Sequence, residues 1–246
     1  MTYCLAIKVN DGLVFASDSR THAGVDYASI YSKMHRFELH SDRFIVLLGA
    51  GSLATTQAVV NFIRRDLENP GAYASLNTMS YLFDAAAYVG EISVRVQDQH
   101  IPAMQRSGFS AEASFILGGQ IQGQQHEIYL IYPQGNYITA SPDTPYLQIG
   151  ETKYGKPILD RMALPTTSLE DASRCAVVSL DSTMRSNLSV GPPVELALYR
   201  RDSYAMGHYL SLNTDCPFYG EIRTQWNEGL RNAFNLLPRF DWESEP

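Results

Sequence analysis

The sequence predicts an α+β domain built in layers. Three observations carry this: strand-like runs come in groups, helical runs come in consecutive pairs, and no Pro/Ser/Gly-rich linker or internal repeat divides the chain. Groups of strands alternating with helix pairs pack as α+β layers, whereas a doubly wound parallel sheet would alternate them singly. Residues 2–246 therefore read as one domain.

Residues 3–9 (YCLAIKV) and 13–17 (LVFAS) are short apolar runs joined by Asn10-Asp11-Gly12. Asp-Gly between two such runs predicts a hairpin, because glycine accepts the positive φ of a tight turn. Residues 43–48 (RFIVLL) predict a third strand that stops at Gly49-Ala50-Gly51-Ser52. From Leu53 the period becomes helical, with Leu53, Val60, Ile63 and Leu67 on one stripe, and Asn69-Pro70-Gly71 ends it. A second helix is expected over 75–98, with Leu76, Met79, Leu82, Phe83, Ala86 and Val89 aligned. Strands follow at 113–119, 126–132 and 136–140, then a helix over about 154–163. Ser168-Leu169-Glu170-Asp171 has the form of a capping box and opens a fourth helix. Strands at 194–200 and 204–212 close the core. The tail, about 225–246, carries Phe234, Leu236, Leu237, Phe240 and Trp242, so many apolar groups that it is expected to dock on its own body or on another subunit.

Composition removes several function classes. Hydrophobic residues make up 45% and charged residues 18% of the 246, which supports a packed core and excludes a disordered chain. Lys+Arg of 19 against Asp+Glu of 26 gives a net charge of −7 and only paired arginines at 64–65 and 200–201, which argues against nucleic acid. No apolar run approaches the roughly 18–20 residues of a membrane span, and no signal peptide is visible, so the expectation is a cytoplasmic, soluble protein. The three cysteines, Cys4, Cys175 and Cys216, are far apart and form no Cys-x-x-Cys, so they read as buried free thiols. The six histidines have no metal-ligand spacing. A Gly-x-Ser-x-Gly elbow and a Walker loop are both missing, and with them any expectation of a metal, a cofactor or an ATPase activity of the chain's own.

What remains is the beginning, MTYCLAIKVNDGLVFASDSRTHAG. Methionine aminopeptidases remove Met1 when a small residue follows, which would give Thr2 a free α-amine beside its hydroxyl. The hydroxyl alone is a weak nucleophile and needs an adjacent base. An α-amine of ordinary pKa near 8 can be that base, and a nearby ammonium would lower its pKa further.

The segment Asp18-Ser19-Arg20-Thr21-His22-Ala23-Gly24, followed by Lys33, resembles the active-site region of the proteasome-type threonine peptidases, members of the N-terminal nucleophile hydrolases. GAGSLATTQAVVNFI (49–63) is similar to the block that follows a core strand in those subunits, and FILGGQ…EIYLIYPQGNY to their central strand pair. YLQIGETKYGKPILDR (146–161) and VVSLDSTMRSNLSVGPPVEL (177–196) resemble a bacterial branch of the family. The resemblance implies a four-layer αββα sandwich in which Thr2 is the nucleophile and Lys33 the cation beside it. Asp18 would hold Lys33, and the Gly51 N–H would form the oxyanion hole. It also implies a supporting role for Asp181, with Ser186 or Ser189 as the accompanying serine, and puts His22 and Gly24 on a substrate-lining strand. Each role has a plain alternative: Asp18 as a turn cap, Lys33 as a surface lysine, Gly51 as a strand end, His22 as a loop histidine. The chain departs from the family at Ile149-Gly150-Glu151-Thr152, where relatives have Gly-Ser-Gly; a carboxylate there would raise the pKa of a nearby amine.

The expected function is therefore a threonine-type endopeptidase that cleaves peptide bonds through an acyl-enzyme, in a homo-oligomeric ring or spiral, with no nucleic acid or membrane partner. Two alternatives stand beside it: a non-catalytic scaffold of the same fold, and an amidase for a small molecule or isopeptide. Neither the substrate nor any ATPase partner is legible.

Overall fold

A computed structural model describes residues 1–22, 28–37 and 39–244. Two five-stranded sheets lie face to face. The first has the order β10-β1-β2-β11-β12, from Tyr146–Gly150, Tyr3–Val9, Gly12–Asp18, Val194–Arg200 and His208–Leu212. The second has the order β5-β6-β7-β8-β9, from Met34–Arg36, Arg43–Gly51, Ala113–Ile121, Glu127–Ile131 and Tyr137–Thr139. Every pairing is antiparallel. A short antiparallel ribbon joins β3 (Arg20–His22) to β4 (Ala28–Ile30).

Strand alternation builds three apolar layers from this arrangement. On β1, Tyr3, Leu5, Ile7 and Val9 face α4 (Leu169–Ser186), while Cys4 and Ala6 face the other sheet. On β6, Ile45 and Leu47 pack toward α1 (Leu53–Glu68) and α2 (Leu82–Arg106), while Phe44, Val46, Leu48 and Ala50 fill the space between the sheets. Both faces of these strands are buried, which is why they read as nearly continuous apolar runs. The result is the αββα sandwich, with α1 and α2 outside one sheet and α3 (Lys156–Met162) and α4 outside the other.

The structure corrects several boundaries. The second helix begins at Leu82, not 75: Ser75 and Thr78 close a turn on themselves, Arg43 donates to the carbonyls of Leu76 and Met79 at 2.9 Å each, and the Asp84 carboxylate accepts from Tyr81 N–H. It continues past the expected end at 98, through Pro102, to Arg106. The last strand starts at His208 instead of 204, after Asp202 and Tyr204 at positive φ. The segment leading into the apolar tail is a helix, α5 (Pro217–Asn235), of which only Tyr219 is buried; it includes Phe234, while Leu236, Leu237, Phe240 and Trp242 lie beyond it and are exposed.

Candidate active site

An antiparallel neighbour ends where its partner begins. The start of β1 therefore lies between the ends of β2 and β10, with Tyr3 opposite Gly150 and Cys4 opposite Ser17. Tyr3 fixes this end: it is fully buried, and its hydroxyl meets Ser179 Oγ at 2.7 Å and accepts from Gln148 Nε2. The residue before it is held as firmly. The carbonyl of Thr2 accepts from Glu151 N–H at 2.7 Å, closing the edge between β1 and the residue after β10. Gly150, at φ +84°, is needed for that approach, because a Cβ there would lie 2.0 Å from the Thr2 carbonyl oxygen.

Beneath this edge sits a buried ion pair. Lys33 Nζ donates to Asp18 Oδ1 at 2.6 Å and to the Arg20 carbonyl at 2.7 Å, with Asp18 wholly buried and Lys33 only 6% exposed. Asp18 also accepts from Tyr3 N–H at 3.0 Å on Oδ1 and from Gly191 N–H at 3.1 Å on Oδ2. Burial pushes the Asp18 carboxyl upward, and the Lys33 ammonium and the two backbone donors pull it back. All of its partners are donors, the arrangement a carboxylate anion requires. Removing one member of such a pair costs about 3–5 kcal/mol, because the other is left as an uncompensated buried charge.

The chain's α-amine, carried here by Met1, titrates below its ordinary value. Burial is the main cause and the Lys33 ammonium the second, with Asp18 and Glu151 acting in the opposite sense. Met1 itself is 63% exposed. The carboxylate of Glu151 is anchored in turn. Its Oε2 accepts from Asn187 Nδ2 at 3.0 Å, and Asn187 Oδ1 accepts from Ser189 Oγ at 2.6 Å and Ser189 N–H at 3.0 Å.

Gly51 closes the opposite wall. Gly49 N–H donates to Lys33 C=O at 3.0 Å, on the β5 side of β6, and Ser52 N–H donates to Glu112 C=O on the β7 side. Alternation along the ladder then points Gly51 N–H to the same side as Gly49, toward Lys33. Gly51 has φ +110°, and a Cβ would meet the Glu112 carbonyl oxygen at 2.3 Å, so only glycine turns the strand here. A cleft of about 450 Å³ runs from Gly51 and Ser52 past Glu112 to Gly150, beside Thr2.

The structure thus gathers Thr2, Asp18 and Lys33, with Gly51 on the cleft wall. It sets Asp181 elsewhere. Asp181 projects from α4 toward α5, paired with Arg223 Nε at 2.8 Å and Arg185 Nε at 3.6 Å, and it accepts from the Tyr219 hydroxyl at 3.2 Å. Its hydrogen-bond and ion-pair partners all lie on α4 or α5, so the expected place beside Thr2 is corrected to a helix–helix contact. Ser186 is exposed at the end of α4, while Ser189 joins the Glu151 network. The backbone of His22 lies on β3, opposite Ala28, and Gly24 lies outside the described residues. Sequence reasoning missed Asn187, the C-cap of α4; the only available signal was the end of the helix opened by Ser168.

An αββα sandwich with an Asp–Lys pair under the first strand is the architecture of proteasome subunits. The family model described as "Proteasome subunit" matches residues 2–198, and the chain belongs to that family. Within it the likeness narrows to Anbu. Anbu (ancestral beta-subunit) from Yersinia bercovieri is 42% identical over 97% of this chain and 98% of its own, with a TM-score of 0.90. The helical assembly of the Anbu complex from Pseudomonas aeruginosa is 44% identical over 99% of this chain and 100% of its own, at a TM-score of 0.91. An Anbu (Gly-1) mutant from Hyphomicrobium sp. strain MC1 is 40% identical over 98% and 100%, at 0.90. A search of curated proteins returns no significant match.

Proposed function

We propose that the chain is an N-terminal threonine hydrolase that cleaves peptide amide bonds. The observation that carries this reading is the buried Lys33–Asp18 pair directly under the start of β1, where burial and then the Lys33 cation lower the pKa of the Met1 α-amine. A surface lysine would have no need of a buried carboxylate, and a turn-capping aspartate no need of a buried lysine.

The chemistry follows from placement. Removal of the exposed Met1 leaves Thr2 with its own amine and hydroxyl. The amine takes the hydroxyl proton through a water molecule as Thr2 Oγ1 attacks the substrate carbonyl. Gly51 N–H donates to the developing oxyanion, and Lys33 keeps the amine in its free-base form. The ammonium then returns the proton to the departing amine as the C–N bond breaks, leaving an ester on Thr2. Water, deprotonated by the same amine, hydrolyses that ester and restores the threonine.

The chain works as a homo-oligomer in this reading. Support comes from the Pseudomonas aeruginosa relative, described as a helical assembly. Further support is the unpacked apolar end of this chain, where Phe234, Leu236, Phe240 and Trp242 are 61–85% exposed. Such groups call for a partner surface.

The test is direct. Intact mass should show loss of Met1, and a tagged peptide epoxyketone should label wild type on Thr2 while leaving Thr2→Ala unlabelled. Retention of Met1, or equal labelling of both, overturns the reading.

A further inference from the structure

The residue that replaces the family serine is not idle. We propose that Glu151, locked in place by Asn187 and Ser189, is a positioning residue that holds the α-amine of Thr2 and acts as its resting counter-ion. The inference rests on the threonine-hydrolase reading and adds a member to its machinery.

The geometry begins with the amide of Asn187. Its oxygen accepts from both the hydroxyl and the backbone N–H of Ser189, so the amide cannot flip, and Nδ2 must face Glu151. That fixes one carboxylate oxygen, Oε2. Among the described residues no donor reaches Oε1. The Glu151 backbone, meanwhile, is tied to the Thr2 carbonyl at 2.7 Å, so side chain and nucleophile residue share one rigid edge. Glu151 is 92% buried, with a relative exposure of 8%. Oε1 is left as an unused acceptor at the rim of the site, and the N–H of the Thr2 amine, on the residue whose carbonyl Glu151 already holds, is the donor that fits it.

A serine hydroxyl at this position could donate or accept and would carry no charge. A carboxylate can only accept, so it favours the ammonium form and orients its N–H bonds. The charged groups that act on the Met1 amine, and would act on a Thr2 amine beside it, are Lys33 from the segment before β5, Asp18 from the end of β2, and Glu151 from just after β10. Lys33 opposes protonation; the two carboxylates favour it.

The experiment measures the amine directly, without relying on turnover. Competitive acetylation of the Thr2 α-amine with acetic anhydride across pH, read by mass spectrometry, gives its apparent pKa in the assembled protein. Glu151→Gln should lower it by about one unit, or ~tenfold in free-base fraction on the acid side. The acid limb of the kcat/KM profile should move down with it. Asn187→Ala keeps the carboxylate but frees it, and should give a smaller shift in the same direction; it also decides the matter if Glu151→Gln fails to fold. An amine pKa unchanged in both variants overturns the proposal, whatever Thr2 does. Loss of Thr2-dependent epoxyketone labelling in wild type overturns the hydrolase reading instead, and the amine pKa still tests Glu151 on its own.

Discussion

The two ends of the chain are built by opposite rules. At the N-terminal end Tyr3, Asp18 and Lys33 are all at least 94% buried, and every polar group of the ion pair has a partner within the same chain. At the C-terminal end α5 buries only Tyr219, while Phe218, Leu230 and Phe234 stand 51–72% exposed. Burying a large apolar side chain is worth about 1.5–3 kcal/mol, so the second end forgoes stabilisation that the first end takes in full. On the function proposed above, the contrast separates chemistry from assembly: the first end has its partners within one chain, and the second leaves its apolar groups uncovered.

The largest expected effect breaks the complete end. Lys33→Met leaves Asp18 buried without its cation, and should cost about 3–5 kcal/mol in stability, read as a fall in urea midpoint. Epoxyketone labelling should slow by about 10²–10⁴. Urea unfolding of Lys33→Met that matches wild type would mean that the pair is not buried in solution.

Next comes the incomplete end. Truncation after Trp226 removes the exposed apolar groups of the distal helix and tail. Sedimentation should show the assembly reduced to small species, with circular dichroism and the unfolding midpoint of the remaining domain nearly unchanged. A truncated chain that keeps its full assembly size would place the subunit contacts elsewhere.

Asp181 sharpens the boundary between the two. Asp181→Ala should loosen α5 from α4, costing about 1–3 kcal/mol after allowance for the half-exposed arginines that face it. Labelling of Thr2 should change by less than about threefold, since the partners of Asp181 lie on α4 and α5. A loss of labelling comparable to that of Lys33→Met would return Asp181 to the site.

The smallest effect is the pH profile of wild type. The amine acts as base only when unprotonated, and the α-amine one residue earlier, on Met1, is held below its ordinary value by burial first and by Lys33 second. Activity should therefore rise through an acid limb centred below pH 8 and stay level above it. In Lys33→Met the limb should move to higher pH, because the opposing cation is gone while Asp18 and Glu151 remain.

Much of this was legible in the residues. The long strands announced themselves because both of their faces are buried, and α1 and α4 because each has a strong stripe and a serine cap. The three-residue strands β4 and β5 were not legible, since three residues carry no period, and β3 was expected only through the resemblance that puts His22 on a strand. The stripe of α5 was in view, with Phe218, Ile222, Trp226, Leu230 and Phe234 four apart, but only its first turns meet the core, at Tyr219 and Ile222, and a stripe so little covered reads as a tail. Of the site, Thr2, Asp18 and Lys33 stood out because a resemblance marks them. Asp181 did too, yet helix phase turns it toward α5. Asn187 was invisible because its role depends on meeting Glu151, from a distant segment, in space, and no spacing along the chain encodes that.

The bond between the Thr2 carbonyl and Glu151 N–H lies on the far side of the residue that would react. Cutting off the first methionine therefore takes nothing from the lattice of contacts that seats its successor. The maturation proposed above is then a trimming step and not a refolding one, and the seat is ready before its occupant is exposed.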